Sequence, residues 1–229
     1  MADDPPALLD VRGLVKHYEV GGGLFGRGAR KVRAVDGVSF RIEHGETLGL
    51  VGESGCGKST VARCIVRLIE PTAGEVLLNG RDIAHVAEGE MRPLRRDLQI
   101  VFQDPFSSLN PRHSAARIVS EPLVNYDLAS GDALKSRTAE LFERVGLRRD
   151  QMNNKPHEFS GGQRQRLGIA RALALNPELI VGDEPVSALD VSIQAQIINL
   201  LMDLQDELDR KSTRLNSSHI PLSRMPSSA

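Results

Sequence analysis

The chain has 229 residues, with 29 basic and 30 acidic side chains and a formal net charge of −1. This balance gives no electrostatic reason to expect nucleic acid or an anionic membrane surface as a partner. No stretch approaches the run of about 20 apolar residues that a membrane helix needs, and the N-terminus, MADDPP, lacks the features of a signal peptide. We therefore expect a soluble, cytosolic protein with one large domain or two smaller ones.

The first predicted elements are two strands joined by a basic, glycine-rich loop. Residues 8–18 alternate irregularly between apolar and polar side chains and predict an edge strand. Residues 32–42 predict a second strand that passes through a turn at Asp36 and Gly37. Tyr18 has two interpretations: its ring could stack on an adenine face, or it could be an ordinary half-buried strand tyrosine.

A phosphate-binding loop is predicted at residues 52–60, which read GESGCGKST after a short apolar strand at residues 47–51. The loop fits the pattern G-x-x-x-x-G-K-[ST], in which Lys58 reaches the β- and γ-phosphates and the Ser59 hydroxyl binds Mg²⁺. Glycines let backbone N–H groups converge on one anion, and the next helix adds the positive end of its dipole. The alternative is a glycine-rich turn that binds nothing. The expected nucleotide contacts are Gly52, Glu53, Ser54, Gly55, Cys56, Gly57, Lys58, Ser59 and Thr60.

The apolar residues after this loop have helical spacing and predict the helix that the motif requires; they are Val61, Ile65, Leu68 and Ile69. Strands are expected at residues 75–78 and 98–102, and the second of them ends at Gln103. In residues 104–158 the pattern changes from strand-like to helical. Helical segments at residues 118–126 and 133–145 predict a helical insertion rather than another strand–helix unit.

A second anion-binding helix start is predicted where this insertion ends. Ser160, Gly161, Gly162 and Gln163 precede a helical segment at residues 164–175, and an open helix N-terminus attracts phosphate. The alternative is a serine-capped helix with a flexible start, which binds no ligand.

Two carboxylates follow the next predicted strand, at residues 179–181. Asp183 and Glu184 at the tip of an apolar strand are costly unless a cation or a reaction uses them. Asp183 is placed to hold Mg²⁺ through its water shell, and Glu184 to polarise an attacking water as a general base. The alternative is an Asp-Glu-Pro turn with solvated charges. Residues 187–190 then cap a long helix that keeps its apolar spacing to Leu208.

Five segments in this order resemble the ATPase subunit of an ATP-binding-cassette (ABC) transporter: GESGCGKST, VFQDP, FSGGQRQR, LIVGDEP and SALD. The segments VRAVDGVSF, RRDLQIVFQDPFSSLNPR and ALDVSIQAQIINLLMDLQ resemble the ATPases of dipeptide, oligopeptide and nickel importers. The resemblance implies an α/β fold with a RecA-like P-loop NTPase core, an N-terminal antiparallel β subdomain and an inserted α-helical subdomain at about residues 104–175. The ABC ATPase domain would span residues 8–209.

The resemblance also implies roles for individual residues. Tyr18 would stack on adenine, and Gln103 would lie in the loop that senses Mg²⁺ and the membrane subunit. Glu184 and Gln103 would be the catalytic residues. Residues 160–163 would be the signature that closes over the γ-phosphate bound to a partner ATPase, and Asp190 would communicate across that interface. Phe159 stands where many cassettes have leucine, and Gly182 is a small variation before the carboxylates.

The function implied by the resemblance is an ATP-binding and ATP-hydrolysing subunit of a bacterial importer for peptides or a related small solute. Its cofactors would be ATP and Mg²⁺. It would lie at the cytoplasmic face of the inner membrane, with a second ATPase subunit, identical or different, and membrane permease subunits as partners. An external solute-binding protein would act indirectly, and no nucleic acid is expected. The alternatives are a nickel importer, a soluble ABC ATPase of DNA repair or ribosomes, and a small-molecule phosphotransferase.

The C-terminal region departs from the family pattern, which places a switch histidine after another buried strand. Residues 210–229 are rich in serine and arginine, contain scattered prolines and lack an apolar run. We therefore expect a truncated cassette with an unrelated, disordered tail, and we assign no role to His219. The missing strand would lie between the strands that end near Val51 and Val181, so its loss should leave the sheet unpaired and impair ATP turnover.

Overall fold

The computed structural model describes residues 6–20, 30–187, 189–207 and 213–216. Its strands and helices form two sheets and a helical layer. In chain order they are β1 (Leu9–Val20), β2 (Arg30–Ile42), β3 (Thr47–Gly49), α1 (Lys58–Ile65), β4 (Ala73–Leu78), β5 (Arg81–Asp82), α2 (Glu88–Leu94), β6 (Leu98–Val101), α3 (Pro105–Ser108), α4 (Ala115–Asn125), α5 (Gly131–Arg144), α6 (Gly161–Leu173), β7 (Leu179–Gly182), α7 (Val191–Glu207) and β8 (Thr213–Asn216).

The N-terminal sheet is antiparallel, with the strand order β2-β1-β4-β5. The prediction of an edge strand at residues 8–18 is wrong, because β1 pairs with β2 on one side and with β4 on the other. The predicted turn at Asp36 and Gly37 is also wrong. Val38 pairs with Leu14 and Asp36 with Val15, so Gly37 is an extra residue with φ 76. A glycine in this left-handed conformation makes a β-bulge, which lets the strand continue.

The second sheet is parallel, with the strand order β3-β8-β7-β6. All its strands therefore end at one edge, and the loops that follow β3, β6 and β7 meet there. These loops carry residues 52–57, Gln103 and Asp183 with Glu184. Parallel pairing thus brings together side chains that are far apart in the sequence.

The prediction that nothing strand-like follows residue 210 is wrong at Thr213–Asn216. This segment is β8, and it lies between β3 and β7, with Leu215 paired to Leu48 on one side and to Val181 on the other. A ladder is built from backbone N–H and C=O groups that every non-proline residue carries, so a polar segment can fill a central position. The gap on which the expected loss of turnover rested is therefore filled. The rest of the predicted tail, including His219, lies outside the described residues.

Two apolar cores support this edge of the sheet. One joins the antiparallel sheet, α1 and the inner faces of β6 and β7, and the other joins α4, α5, α6 and α7 around the fully buried Phe142. The predicted helix after the phosphate loop is shorter than its apolar stripe suggested. It ends at Ile65, and Leu68 is 52% exposed. Among the described residues, no helix has the length and apolar character needed to cross a membrane.

Candidate functional site

Two glycines shape the loop that follows β3. Gly55 and Gly57 have φ values of 81 and 101, and Gly57 is the N-cap of α1. A Cβ atom on Gly57 would lie 2.1 Å from the carbonyl oxygen of Ala34 in β2. Only glycine accepts both the left-handed backbone and this close approach. The antiparallel sheet therefore abuts the start of α1 directly at Gly57.

Lys58 turns back into the loop that it follows. Its side chain is only 5% exposed, and its ammonium donates hydrogen bonds to the carbonyl oxygens of Gly52 at 2.8 Å and Glu53 at 2.9 Å. Nζ also lies 3.8 Å from Oε1 of Glu184. The predicted contact of Lys58 with the β- and γ-phosphates stays a prediction, and the ammonium lies where the loop would hold them. A cation at this point suits a ligand with several negative charges.

Asp183 is a buried carboxylate at the end of β7. It is 1% exposed, and Oδ2 lies 3.5 Å from Nη2 of Arg63 in α1. Oδ1 is buried and has no hydrogen-bond partner among the described residues. A buried carboxylate oxygen without a partner is costly, and a divalent cation would satisfy it. The donor set therefore fits the magnesium site that the sequence predicts.

Glu184 is held by contacts on both its side chain and its backbone. Its φ is 46, which is unusual for a non-glycine residue. Nε2 of Gln103 donates to Oε2 of Glu184 at 3.0 Å and to the Ser187 hydroxyl at 3.2 Å. The Ser187 hydroxyl in turn donates to the carbonyl oxygen of Glu184 at 3.2 Å. Such strain is kept where the surroundings over-determine it, and this is common at functional sites.

The Ser160 segment begins α6 as a capping box. The Ser160 hydroxyl accepts from the backbone N–H of Gln163 at 3.3 Å, and Oε1 of Gln163 accepts from the N–H of Ser160 at 3.0 Å. A Cβ atom on Gly162 would lie 2.6 Å from Cγ2 of Ile193 in α7, so a glycine is needed there. Within one chain, Ser160 thus acts as a helix cap.

The structure places the remaining predicted residues around this edge. Tyr18 is half-buried and pairs with Val32, two residues before the Ala34 that touches Gly57. The Lys16 ammonium lies 5.1 Å from the centre of the Tyr18 ring, a cation–π contact. The backbone carbonyl of Asp190 accepts from the N–H groups of Ile193 and Gln194 at the start of α7. These are the first backbone hydrogen bonds of α7, and the predicted cap by residues 187–190 stays a prediction.

Sequence reasoning missed Lys16, Arg63 and Ser187. Lys16 contacts Tyr18 within β1, Arg63 contacts Asp183 between α1 and the end of β7, and Ser187 contacts Glu184 across a turn. Neither Lys16 nor Arg63 belongs to a sequence motif. The helical position of Arg63, four residues after Ser59, is the one local signal that could have indicated it.

Neither cysteine takes part in a metal site. Among the described residues, no group of three or more histidine, cysteine, aspartate or glutamate side chains could hold a metal ion as a cluster. Cys56 is exposed and Cys64 is buried. Burial raises the pKa of the Cys64 thiol to about 11, so it stays protonated at neutral pH and acts as a small packing residue.

A parallel sheet with a phosphate loop after one strand and two carboxylates after another defines a P-loop α/β protein. Residues 35–187 match the family model described as ABC transporter, and the chain belongs to this family. The antiparallel sheet and the helical insertion are the two additions that the resemblance implied. The predicted fold class is therefore confirmed, except for the missing strand.

The chain is similar to ATP-binding subunits and to solved cassettes. It is 56% identical over 201 residues to the probable peptide ABC transporter ATP-binding protein y4tS of Sinorhizobium fredii, covering 88% of this chain and 57% of that protein. It is 52% identical over 209 residues to the oligopeptide transport ATP-binding protein AppF of Bacillus subtilis, covering 91% and 64%. The dimeric ATP-binding cassette MJ0796, in a post-hydrolysis state bound to ADP and Pi, is 33% identical with a TM-score of 0.79, covering 93% and 88%. The chain thus spans about three fifths of the length of these two curated relatives.

Proposed function

We propose that this chain is the ATP-binding and ATP-hydrolysing subunit that energises an ABC importer for peptides or a related small solute. The observation that carries the proposal is the meeting of Lys58, Gln103 and Glu184 at one edge of the parallel sheet. The Lys58 ammonium lies 3.8 Å from Glu184, the Gln103 amide donates to Glu184 at 3.0 Å, and the buried Asp183 precedes it.

In this proposal the loop from Gly52 to Thr60 holds the triphosphate. Its backbone N–H groups and the start of α1 face the anion. Lys58 replaces its hydrogen bonds to the loop carbonyl oxygens with hydrogen bonds to phosphate oxygens. Tyr18 stacks on the adenine, next to the joint between Ala34 and Gly57. The similar cassette that is described as bound to ADP and Pi supports a nucleotide at the corresponding loop.

Magnesium would be held by Asp183, the Ser59 hydroxyl and Gln103, and when bound it would neutralise charge on the phosphates. Asp183 is suited to this role because Oδ1 is buried without a partner among the described residues. Gln103 stands at the same edge, with its amide already directed at Glu184.

Glu184 is the proposed general base. Its carboxylate would accept the proton of the water that attacks the γ-phosphate. Gln103 donates to Oε2 and therefore fixes the orientation of the carboxylate, and Ser187 restrains the backbone of the same residue. A base whose orientation is fixed before reaction needs little rearrangement in the transition state.

We propose that the signature residues, Ser160 to Gln163, serve the nucleotide site of a second subunit; within this chain Ser160 and Gln163 bond to each other as a capping box. The dimeric cassette among the similar structures supports this arrangement. Permease subunits and an external solute-binding protein would complete the transporter at the cytoplasmic face of the membrane. The names of y4tS and AppF favour peptides over nickel, and a phosphotransferase would have no use for the Ser160 segment.

The test compares the purified chain with Glu184→Gln. The variant keeps the side-chain shape and removes the base, so ATP binding should persist while hydrolysis falls by at least about 100-fold. Glu90→Gln, on exposed α2, is the matched control and should hydrolyse ATP at the parent rate. Parent-level turnover by Glu184→Gln would refute the proposed base. Uptake of labelled peptide and of labelled nickel is then compared between cells with and without the gene. Loss of peptide uptake alone indicates a peptide importer, and loss of nickel uptake alone indicates a nickel importer.

A further inference from the structure

Arg171 joins two parts of the proposed site that are distant in the sequence. It lies near the end of α6, and its Nη1 donates to the carbonyl oxygen of Ser108 at 2.7 Å. Ser108 is the last residue of α3, a four-residue helix that begins two residues after Gln103. The bond therefore ties the segment that carries Gln103 to the helix that begins at the signature.

The environment of Arg171 indicates a specific contact rather than a solvated charge. Arg171 is partly buried, and this burial lowers the pKa of its guanidinium below the ordinary value, while Glu121 of α4 acts in the opposite direction. The last carbonyls of a helix have no partner within that helix. Arg171 donates to one of them in α3, and a leucine at this position would remove that hydrogen bond.

The other end of the Gln103 segment is tied to the proposed base. Gln103 donates to Glu184 at 3.0 Å and to Ser187 at 3.2 Å. Only the residues between Gln103 and Ser108 separate these contacts from the bond to Arg171. The contacts of Gln103 and the bond to α6 are therefore joined by a short segment of chain.

Helix α6 is built to transmit a displacement of Gln103 to the signature. It has 13 residues, and at about 1.5 Å per residue it is about 20 Å long. Its N-terminus is closed by the capping box of Ser160 and Gln163, and Gly162 packs against Ile193 of α7. A small rotation at the Arg171 end therefore moves the Ser160 end as part of a rigid body.

We propose that Arg171 is a positioning residue that couples the Gln103 segment to the orientation of the signature helix. The inference rests on the proposed function, because it assumes that Gln103 and the Ser160 segment both serve ATP hydrolysis. Arg171 itself touches neither nucleotide nor Glu184 in this arrangement. It acts by keeping α6 aligned with the contacts of Gln103.

The test uses Arg171→Met, with Arg166→Met as a matched control. Arg166 is also on α6 and also donates to a carbonyl at a helix end, that of Val145 at 2.6 Å, but it joins α6 to α5 and not to the Gln103 segment. Misplacing a catalytic group from a distance costs up to about 100-fold in rate. We expect Arg171→Met to lower kcat by about 10- to 100-fold with little change in the KM for ATP. Arg166→Met should keep kcat, and Arg171→Lys should restore part of it.

A double-mutant cycle separates coupling from a merely structural role. If Arg171 acts through Gln103, adding Arg171→Met to Gln103→Ala should lower kcat no further than Gln103→Ala alone. Additive losses, or equal losses from Arg166→Met and Arg171→Met, would overturn the inference. If Arg171→Met does not fold, the cycle is run with Arg171→Lys under the same criterion. A Gln103→Ala variant with parent turnover would instead refute the proposed role of Gln103, so the two failures are distinguishable.

Discussion

The Lys58 ammonium lies 3.8 Å from the Glu184 carboxylate, so the phosphate loop and the end of β7 share one ion pair. The pair is inside the site rather than on its surface, since Lys58 is 5% exposed and Glu184 23% exposed. The two residues have different roles in the proposed reaction: Lys58 binds the phosphate anion, and Glu184 accepts a proton from water. Lys58 and Glu184 lie close together because β3 and β7 end at the same edge of the parallel sheet.

Lys58→Ala should abolish useful ATP affinity in a folded protein. The substitution removes charge-assisted hydrogen bonds to phosphate, each worth about 1.5–3 kcal/mol, so the Kd should rise by at least about 100-fold. Fluorescence titration with a labelled ATP analogue measures the Kd. Lys135→Ala, at an exposed lysine on α5, is the control. An unchanged Kd for Lys58→Ala would contradict the phosphate-loop assignment.

Asp183→Asn should stabilise the nucleotide-free protein while it removes activity. The native carboxylate is buried, with Oδ1 unpaired among the described residues, and a neutral amide has a smaller desolvation cost. We expect the Tm without nucleotide to rise, and the further rise on adding ATP with Mg²⁺ to disappear. Differential scanning calorimetry measures both. A lower Tm for the free variant would show that the pair with Arg63 outweighs the cost of burial.

Ser160→Asp separates helix capping from phosphate contact. Aspartate caps helices about as well as serine, so the Tm should change little. A carboxylate facing a phosphate of the second subunit should nevertheless stop hydrolysis, because like charges repel. Ser114→Asp, at the serine cap of α4, is the matched control and should keep both the Tm and turnover. Normal turnover by Ser160→Asp would mean that this segment does not face phosphate.

Gly55 and Gly57 of the phosphate loop should differ in their tolerance of alanine. Both have positive φ, but a Cβ on Gly57 would meet the Ala34 carbonyl at 2.1 Å, whereas a Cβ on Gly55 would meet no atom within 4 Å. Each variant bears the backbone strain of about 1–3 kcal/mol, and Gly57→Ala adds a clash. Urea denaturation should therefore rank Gly57→Ala as the less stable. Equal losses would mean that the contact with β2 relaxes freely.

A proline in β8 tests whether this strand fills the parallel sheet. Leu215 pairs with both β3 and β7, so Leu215→Pro removes a ladder donor in the middle of the sheet and leaves an acceptor unpaired, at about 1–3 kcal/mol. Thr213→Pro is the control, because Thr213 is the first residue of β8 and pairs with β7 alone. The Tm of Leu215→Pro should be the lower one. Equal Tm values would contradict the central position of β8.

The local motifs of the sequence were sufficient to predict where the residues of the candidate site lie along the chain. Lys58 donates to the carbonyls of Gly52 and Glu53, and Asp183 and Glu184 directly follow a buried strand. The proposed roles of Lys58 and the carboxylates therefore depend on neighbours within a few positions. The start of α6 is equally local, because a capping box needs only Ser160 and Gln163. Patterns of this kind can be interpreted without knowing the fold, because the atoms that make them are held together by the chain itself.

Tertiary structure alone decided which distant segments meet. Backbone pairing determines three features: the place of β1 inside its sheet, the bulge at Gly37 and the insertion of β8 between β3 and β7. Any non-proline sequence can form such pairs, so no sequence motif predicts them. The contacts of Arg63 with Asp183 and of Arg171 with Ser108 arise in the same way. A long polar side chain finds its partner only after helices and strands have packed, because the packing sets the distance between them.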